Sequence, residues 1–255
     1  MQKELEIDTP IDRRRLLQVA GISAIGLVGA TTLIGCGGNN NNNSTPTSNM
    51  DAQILGAAKI AEALAVTMYT AIITKSPWFS GLPTNDQLYL TAARDEEMYH
   101  YLLLKGATGG TDAQTTYYFP MNMFTDKQTT INVLVTLEDA FIAAYLIGVG
   151  NLSTSSLRVL AAQIMGIESD HRTLARVVAS DLGLTTSTGL SGSPEVVATA
   201  NDNVYERTYG LTQIGQVVAA LTKFLSASSS NPVAETFNPA YVPNNAGLFP
   251  NPANG

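Results

Sequence analysis

Apolar residues recur at threes and fours along four stretches between residues 51 and 182, the spacing of one face of an α-helix. The first stretch, 51–75, places Leu55, Ala58, Glu62, Val66, Tyr69 and Ile73 on a common face. Ser76-Pro77 ends it, and Pro83 precedes the next. The second, 84–105, opens on Thr84-Asn85-Asp86-Gln87, which has the form of a capping box, and stops at Gly106. Its face carries Leu90, Ala93, Glu97, His100 and Leu104. The third, 126–149, presents Ile131, Leu134, Glu138, Phe141, Tyr145 and Val149. The fourth, 153–182, presents Leu157, Ala161, Ile164, Glu168, His171, Ala175 and Val178, with Gly183 beyond its end. These patterns predict an all-α four-helix bundle over 51–183.

The connection between the second and third helices is about 20 residues, long enough for a crossover or a lid. It contains Gly109-Gly110 and the cluster Tyr117-Tyr118-Phe119-Pro120. That cluster and Trp78 are expected to pack rather than to act. Residues 184–228 form an added segment, with further helix expected over 194–209 and 211–225. The tail, 229–255, is rich in Pro and Asn and is expected to be coil, draped on the bundle or disordered.

The N-terminal 36 residues follow a different pattern. Arg13 and Arg14 precede a run of Leu, Gly and Ala that ends in Leu33-Ile34-Gly35-Cys36. This resembles a twin-arginine export signal closed by a lipobox, with Cys36 the lipidated residue. Residues 37–50, with five successive asparagines, make a flexible tether. The apolar run could also serve as an uncleaved anchor or a simple cleaved signal. All three place the domain outside the cytoplasm, at the periplasm or cell surface, and the first two attach it to the membrane.

Composition narrows the chemistry. Net charge is −7 and no basic stripe is present, so nucleic acid is not an expected partner. One cysteine leaves no internal disulfide and no Cys-rich zinc or iron–sulfur site. The chain has only two histidines, and each lies three residues after a glutamate: Glu97/His100 and Glu168/His171. On a helix such residues are neighbours on one face, able to ligate the same or adjacent metal ions. Glu62 and Glu138 sit mid-face on the other two helices. Either of these alone would be an ordinary edge residue. Together the six suggest a site for two metal ions, because four buried carboxylates would each cost several kcal/mol without a partner. Oxygen and imidazole ligands suit iron or manganese and leave zinc open. Tyr69 and Tyr145, two turns beyond Glu62 and Glu138, either line that site or serve as core residues. Glu96, Asp139 and Asp170 neighbour the ligands in sequence but point elsewhere, to solvent or to an outer layer.

The segments Ala93-Arg94-Asp95-Glu96-Glu97-Met98-Tyr99-His100, Leu137-Glu138-Asp139-Ala140 and Ala161-Ala162-Gln163-Ile164-Met165-Gly166-Ile167-Glu168-Ser169-Asp170-His171 resemble the ferritin-like domain family of bacterial exported and plant desiccation-related proteins. More distantly, the order of ligands is similar to bacterioferritins and rubrerythrins. The resemblance implies a ferritin-like four-helix bundle with a long crossover between helices 2 and 3. It also implies a dinuclear iron or manganese site on Glu62, Glu97, His100, Glu138, Glu168 and His171. No rubredoxin-type cysteines follow. Three functions stay open: redox chemistry with oxygen or peroxide (ferroxidase- or peroxidase-like), a non-catalytic metal-binding or stress-protective role, and iron storage. The tether and tail argue against a storage shell, and a homodimer is allowed.

Overall fold

A computed structural model describes residues 46–110, 112–197 and 210–243, with the side chains of 46–49 and 196 excepted. The export signal, Arg13, Arg14 and Cys36 lie outside the described residues. The four periodic stretches form helices α1 (Pro46–Lys75), α2 (Thr84–Ala107), α3 (Lys127–Asn151) and α4 (Ser155–Asp181). Local chemistry sets their ends. Asp126 caps α3 by accepting from Thr129 N at 3.3 Å, and Thr154 caps α4 by accepting from Leu157 N at 3.2 Å. Gly110 (φ 80°) and Gly183 (φ 79°) follow α2 and α4 in the left-handed conformation that glycine adopts without strain. The capping box expected at Thr84 does not form. Pro83 is the N-cap, without a side-chain cap, and Gln87 Nε2 instead donates to Leu82 O at 2.9 Å.

The helices pack most closely as two pairs, α1 with α2 and α3 with α4. Each pair is a hairpin, so α1 and α2 are antiparallel, as are α3 and α4. Contacts from Glu62 to Tyr145 and from Tyr69 to Glu138 run in opposite directions along α1 and α3, so these two helices are antiparallel as well. The C-terminus of α2 and the N-terminus of α3 therefore lie at opposite ends of the bundle. The intervening chain must travel roughly 36 Å, the length of a 24-residue helix at 1.5 Å per residue. This is the physical reason for the long crossover.

The crossover is not bare loop. It holds strand β1 (Thr116–Phe119), which pairs antiparallel with β4 (Val233–Thr236) in register Thr116↔Thr236. The tail expected to be coil is thus a strand over these residues. Tyr117 and Phe119 are fully buried, and Phe237 stacks edge-on against Tyr101 at 4.7 Å. Helix was expected from residue 194, but the described residues there are β3 (Pro194–Val196), in a hairpin with β2 (Thr186–Thr188). A proline and β-branched valines favour extended backbone at that point. The rest of that expected helix, 198–209, lies outside the described residues. Helix α5 (Ile214–Leu221) and a 3₁₀ turn (Thr222–Phe224) lie within the second expected stretch.

Among the described residues, two apolar clusters fill the interior. The larger joins the C-terminal half of α1 to β1, α5 and the hairpin side of the bundle. The smaller holds Ile54, Leu55, Ala58, Leu104, Tyr145, Leu152, Ala161 and Ile164. Helices α1 and α3 contain stretches long and apolar enough to cross a membrane, but these stretches are mostly buried in the bundle. Their apolar character reflects burial on more than one face.

Candidate metal centre

The six residues picked out by spacing converge between the two apolar clusters. Glu97, Glu138 and Glu168 are wholly buried, and Glu62, His171 and His100 are 1%, 2% and 7% exposed. Two groups of potential ligand atoms form, each with members within 4.8 Å of one another: Glu62, Glu97, His100 and Glu168, and Glu97, Glu138, Glu168 and His171. Glu97 and Glu168 belong to both. Glu168 turns Oε1 to His100 Nδ1 at 3.1 Å and Oε2 to His171 Nδ1 at 3.4 Å. Glu97 turns Oε1 to His171 Nδ1 at 3.0 Å and Oε2 to His100 Nδ1 at 3.7 Å. Each thus reaches both histidines, as a bridging carboxylate must. Glu62 lies 3.4 Å from His100 and Glu138 4.0 Å from His171, one terminal carboxylate per histidine.

This cluster is poorly satisfied by protein alone. Among the described residues, no hydrogen-bond partner meets the buried atoms Glu62 Oε2, Glu97 Oε2, Glu138 Oε2, either oxygen of Glu168, or His100 Nδ1. Orphaned buried polar atoms are rare, and their convergence on common points is what a cation would resolve. Burial, and then the negative charges of Glu97 and Glu168, push Glu62 well above the usual carboxylate range. Burial and the charge of Glu97 do the same to Glu138. Burial would lower both histidines, but nearby carboxylates outweigh it and raise His100 and His171 well above 6.5. Burial would raise Glu97 also, yet the groups around it, Glu62, His100 and His171, hold it below its ordinary range. Cation-free, the cluster is a store of protons. Two divalent ions would replace them and balance four carboxylates, so the residues present fit a dinuclear site.

Tyr69 and Tyr145 are core residues, one in each apolar cluster, whose hydroxyls reach the ligands. Tyr69 OH of α1 donates to Glu138 Oε1 of α3 at 2.7 Å, and Tyr145 OH of α3 donates to Glu62 Oε1 of α1. Each tyrosine holds the terminal glutamate of the opposite helix. Burial and the neighbouring carboxylates raise both phenols well above 10, so they are fixed as donors.

Sequence reasoning left Glu96 and Asp139 open between solvent and an outer layer around the ligands. Glu96 Oε2 meets His171 Nε2 at 2.8 Å, on the ring edge away from the cluster. Asp139 is wholly buried rather than solvated. It accepts from Arg172 Nε at 2.6 Å and Leu190 N at 3.0 Å, and Arg172 also donates to Glu195 at 2.8 Å. This network ties the β2–β3 hairpin to α3 and α4 at the residues following Glu138 and His171. Asp170 is exposed, as its helix position implied. A buried Asp beside a buried ligand, with a matching Arg one helix away, was the available signal. Past the Glu62 and His100 side, Ala58, Leu104, Tyr145, Ala161 and Ile164 line a small apolar cavity of about 10 Å³, room for about one water-sized molecule.

The chain matches the ferritin-like domain family over residues 50–181. No curated protein matches it. The matched span covers just over half of the sequence and contains α2, α3, α4, all but the first four residues of α1, and all six clustered ligands, so the chain belongs to the ferritin-like domain family.

Proposed function

We propose that the protein holds two metal ions, iron or manganese, on Glu62, Glu97, His100, Glu138, Glu168 and His171, and uses them for redox chemistry with oxygen or peroxide outside the cytoplasm. One observation carries the metal reading: buried carboxylate and imidazole atoms lack hydrogen-bond partners and converge on two adjoining points that share Glu97 and Glu168. Bound there, iron or manganese would supply electron transfer and an open coordination position for oxygen species.

The chain's own residues support such chemistry in three ways. The two apolar clusters above and below the cluster exclude bulk water. Tyr69 and Tyr145 orient the terminal glutamates and keep their phenol protons close to them. The small apolar cavity lined by Ala58, Leu104 and Tyr145, one helical turn from Glu62 and His100, would take a water-sized uncharged molecule. Export and membrane attachment rest on Arg13, Arg14 and Cys36 in the sequence.

The test is reconstitution. Full-length protein loaded with iron or manganese should bind about two ions per chain and should consume peroxide or oxidise ferrous ion. Loaded protein inert towards both, but stabilised by its metal, would overturn the redox part and favour a bracing role. Substituting Cys36→Ser should release the protein from the membrane fraction. Retention would point to an uncleaved anchor instead.

A further inference from the structure

The two halves of the cluster differ in how their histidines are held. His171 points Nδ1 into the cluster and Nε2 at Glu96 Oε2, 2.8 Å away. Its side chain is 1% exposed and packs edge-on to the Tyr69 ring at 6.0 Å. A carboxylate on Nε2 fixes the tautomer that leaves the Nδ1 lone pair free, and fixes the ring plane as well. His100 also points Nδ1 inward, but among the described residues no carboxylate meets its Nε2, and its side chain is 9% exposed. The cause is visible in the helices. Glu96 directly precedes Glu97 on α2, while the matching position on α4, before Glu168, is Ile167. The tyrosines do not offset this difference, because both terminal glutamates receive one. Packing adds to it. The apolar cavity adjoins the Glu62 and His100 side, bounded by Ala58 one turn before Glu62 and Leu104 one turn after His100. The corresponding layer beyond Glu138 and His171, including Leu134 and Ala175, is buried in the larger apolar cluster.

We propose that the two metal positions are unequal: the Glu138/His171 position fills first and holds its ion, the Glu62/His100 position is the exchangeable one, and Glu96 is the positioning residue that makes the difference. This rests on the reading that the cluster binds metal. It implies a half-loaded state with one ion on Glu138 and His171, bridged by Glu97 and Glu168 to an open second position.

Anaerobic calorimetric titration of the metal-free full-length chain with Co(II) tests this. Wild type should show two steps, and protein given one equivalent should retain one ion on gel filtration. Glu96→Gln should weaken the tighter step by about 10- to 100-fold and merge the two, while leaving the weaker step in place. Glu96→Asp should recover part of the separation. His100→Ala should spare the tight step, and His171→Ala should abolish it. Two equal steps unmoved by Glu96→Gln, or loss of the tight step in His100→Ala alone, would overturn the inequality and leave the metal centre standing. A wild-type chain that takes up no Co(II) would overturn both readings.

Discussion

At the scale of single residues, the cluster separates shared from terminal ligands, and this gives a graded expectation. Glu97 and Glu168 each face both histidines, whereas Glu62 and Glu138 each face one. Glu168→Ala should therefore lose both ions, while Glu62→Ala should keep about one, as read by elemental analysis. Similar losses in both variants would contradict the bridging assignment. Tyr145→Phe removes the donor on Glu62 and leaves the ring in place. It should weaken metal binding about tenfold, the usual cost of deleting an outer hydrogen bond to a ligand. The ligands themselves were legible in sequence because Glu-x-x-His is local, and a helix puts its two members on one face. The crossed tyrosine contacts were not. Each joins residues on different helices and depends on the antiparallel register of α1 against α3. Seven-residue spacing could place Tyr69 on the Glu62 face but could not reveal that its hydroxyl reaches Glu138.

At the scale of elements, the hairpin β2–β3 is locked to the bundle through a close approach. A β-carbon on Gly189 would stand 2.0 Å from Asp139 Oδ2, an oxygen already committed to Leu190 N. Gly189→Ala must therefore push the hairpin off Asp139. It should cost about 1–3 kcal/mol in urea unfolding, the range of an overpacked site. A second expectation concerns the ends of α2 and α4. Asp86 is buried, and desolvation, then the neighbouring carboxylate of Asp181, push its carboxyl from 3.8 to about 6. A folded value above the unfolded one favours the protonated form. Its contribution is full below about pH 4 and is lost as pH rises through about 6. Wild type should lose on the order of 1–2 kcal/mol over that window relative to Asp86→Asn, discounted because Asp181 is exposed. Parallel pH profiles for the two proteins would contradict the pairing. The four long helices were legible because periodicity is local, and the caps Asp126 and Thr154 lie within a residue or so of where the patterns start. The strands were hidden for the opposite reason. β1 pairs with a segment near the other end of the described chain, and Tyr117 is buried by that pairing and by α1. The tail's prolines flank its strand rather than interrupt it, so composition alone suggested coil.

For the whole molecule, the polar cluster lies at the junction of the two apolar clusters, so its protonation or metal loading sets the stability of the entire bundle. Without metal, Glu62 and Glu138 have folded values well above 4.5, and His100 and His171 well above 6.5. All four shifts are upward, so all four act in the same direction. The glutamates contribute stability below about pH 4.5 and the histidines below about 6.5, and both contributions are lost as pH rises through the raised folded values. Glu97 runs the other way, but its folded value lies below the usual carboxylate range, so above pH 5 its contribution is constant. Metal-free protein should therefore grow less stable from pH 5 to pH 8. Metal binding displaces those same protons, so affinity should rise over that range. Ligand at a thousand times its dissociation constant adds about 4 kcal/mol to folding. The two trends combine: the gap in melting temperature between manganese-loaded and chelator-treated protein should be small at pH 5 and widen steadily to pH 8, with protons released on loading at neutral pH. Differential scanning calorimetry at fixed metal concentration reads this directly. A gap that is constant with pH would show that the buried carboxylates and histidines are not the groups that exchange protons for metal.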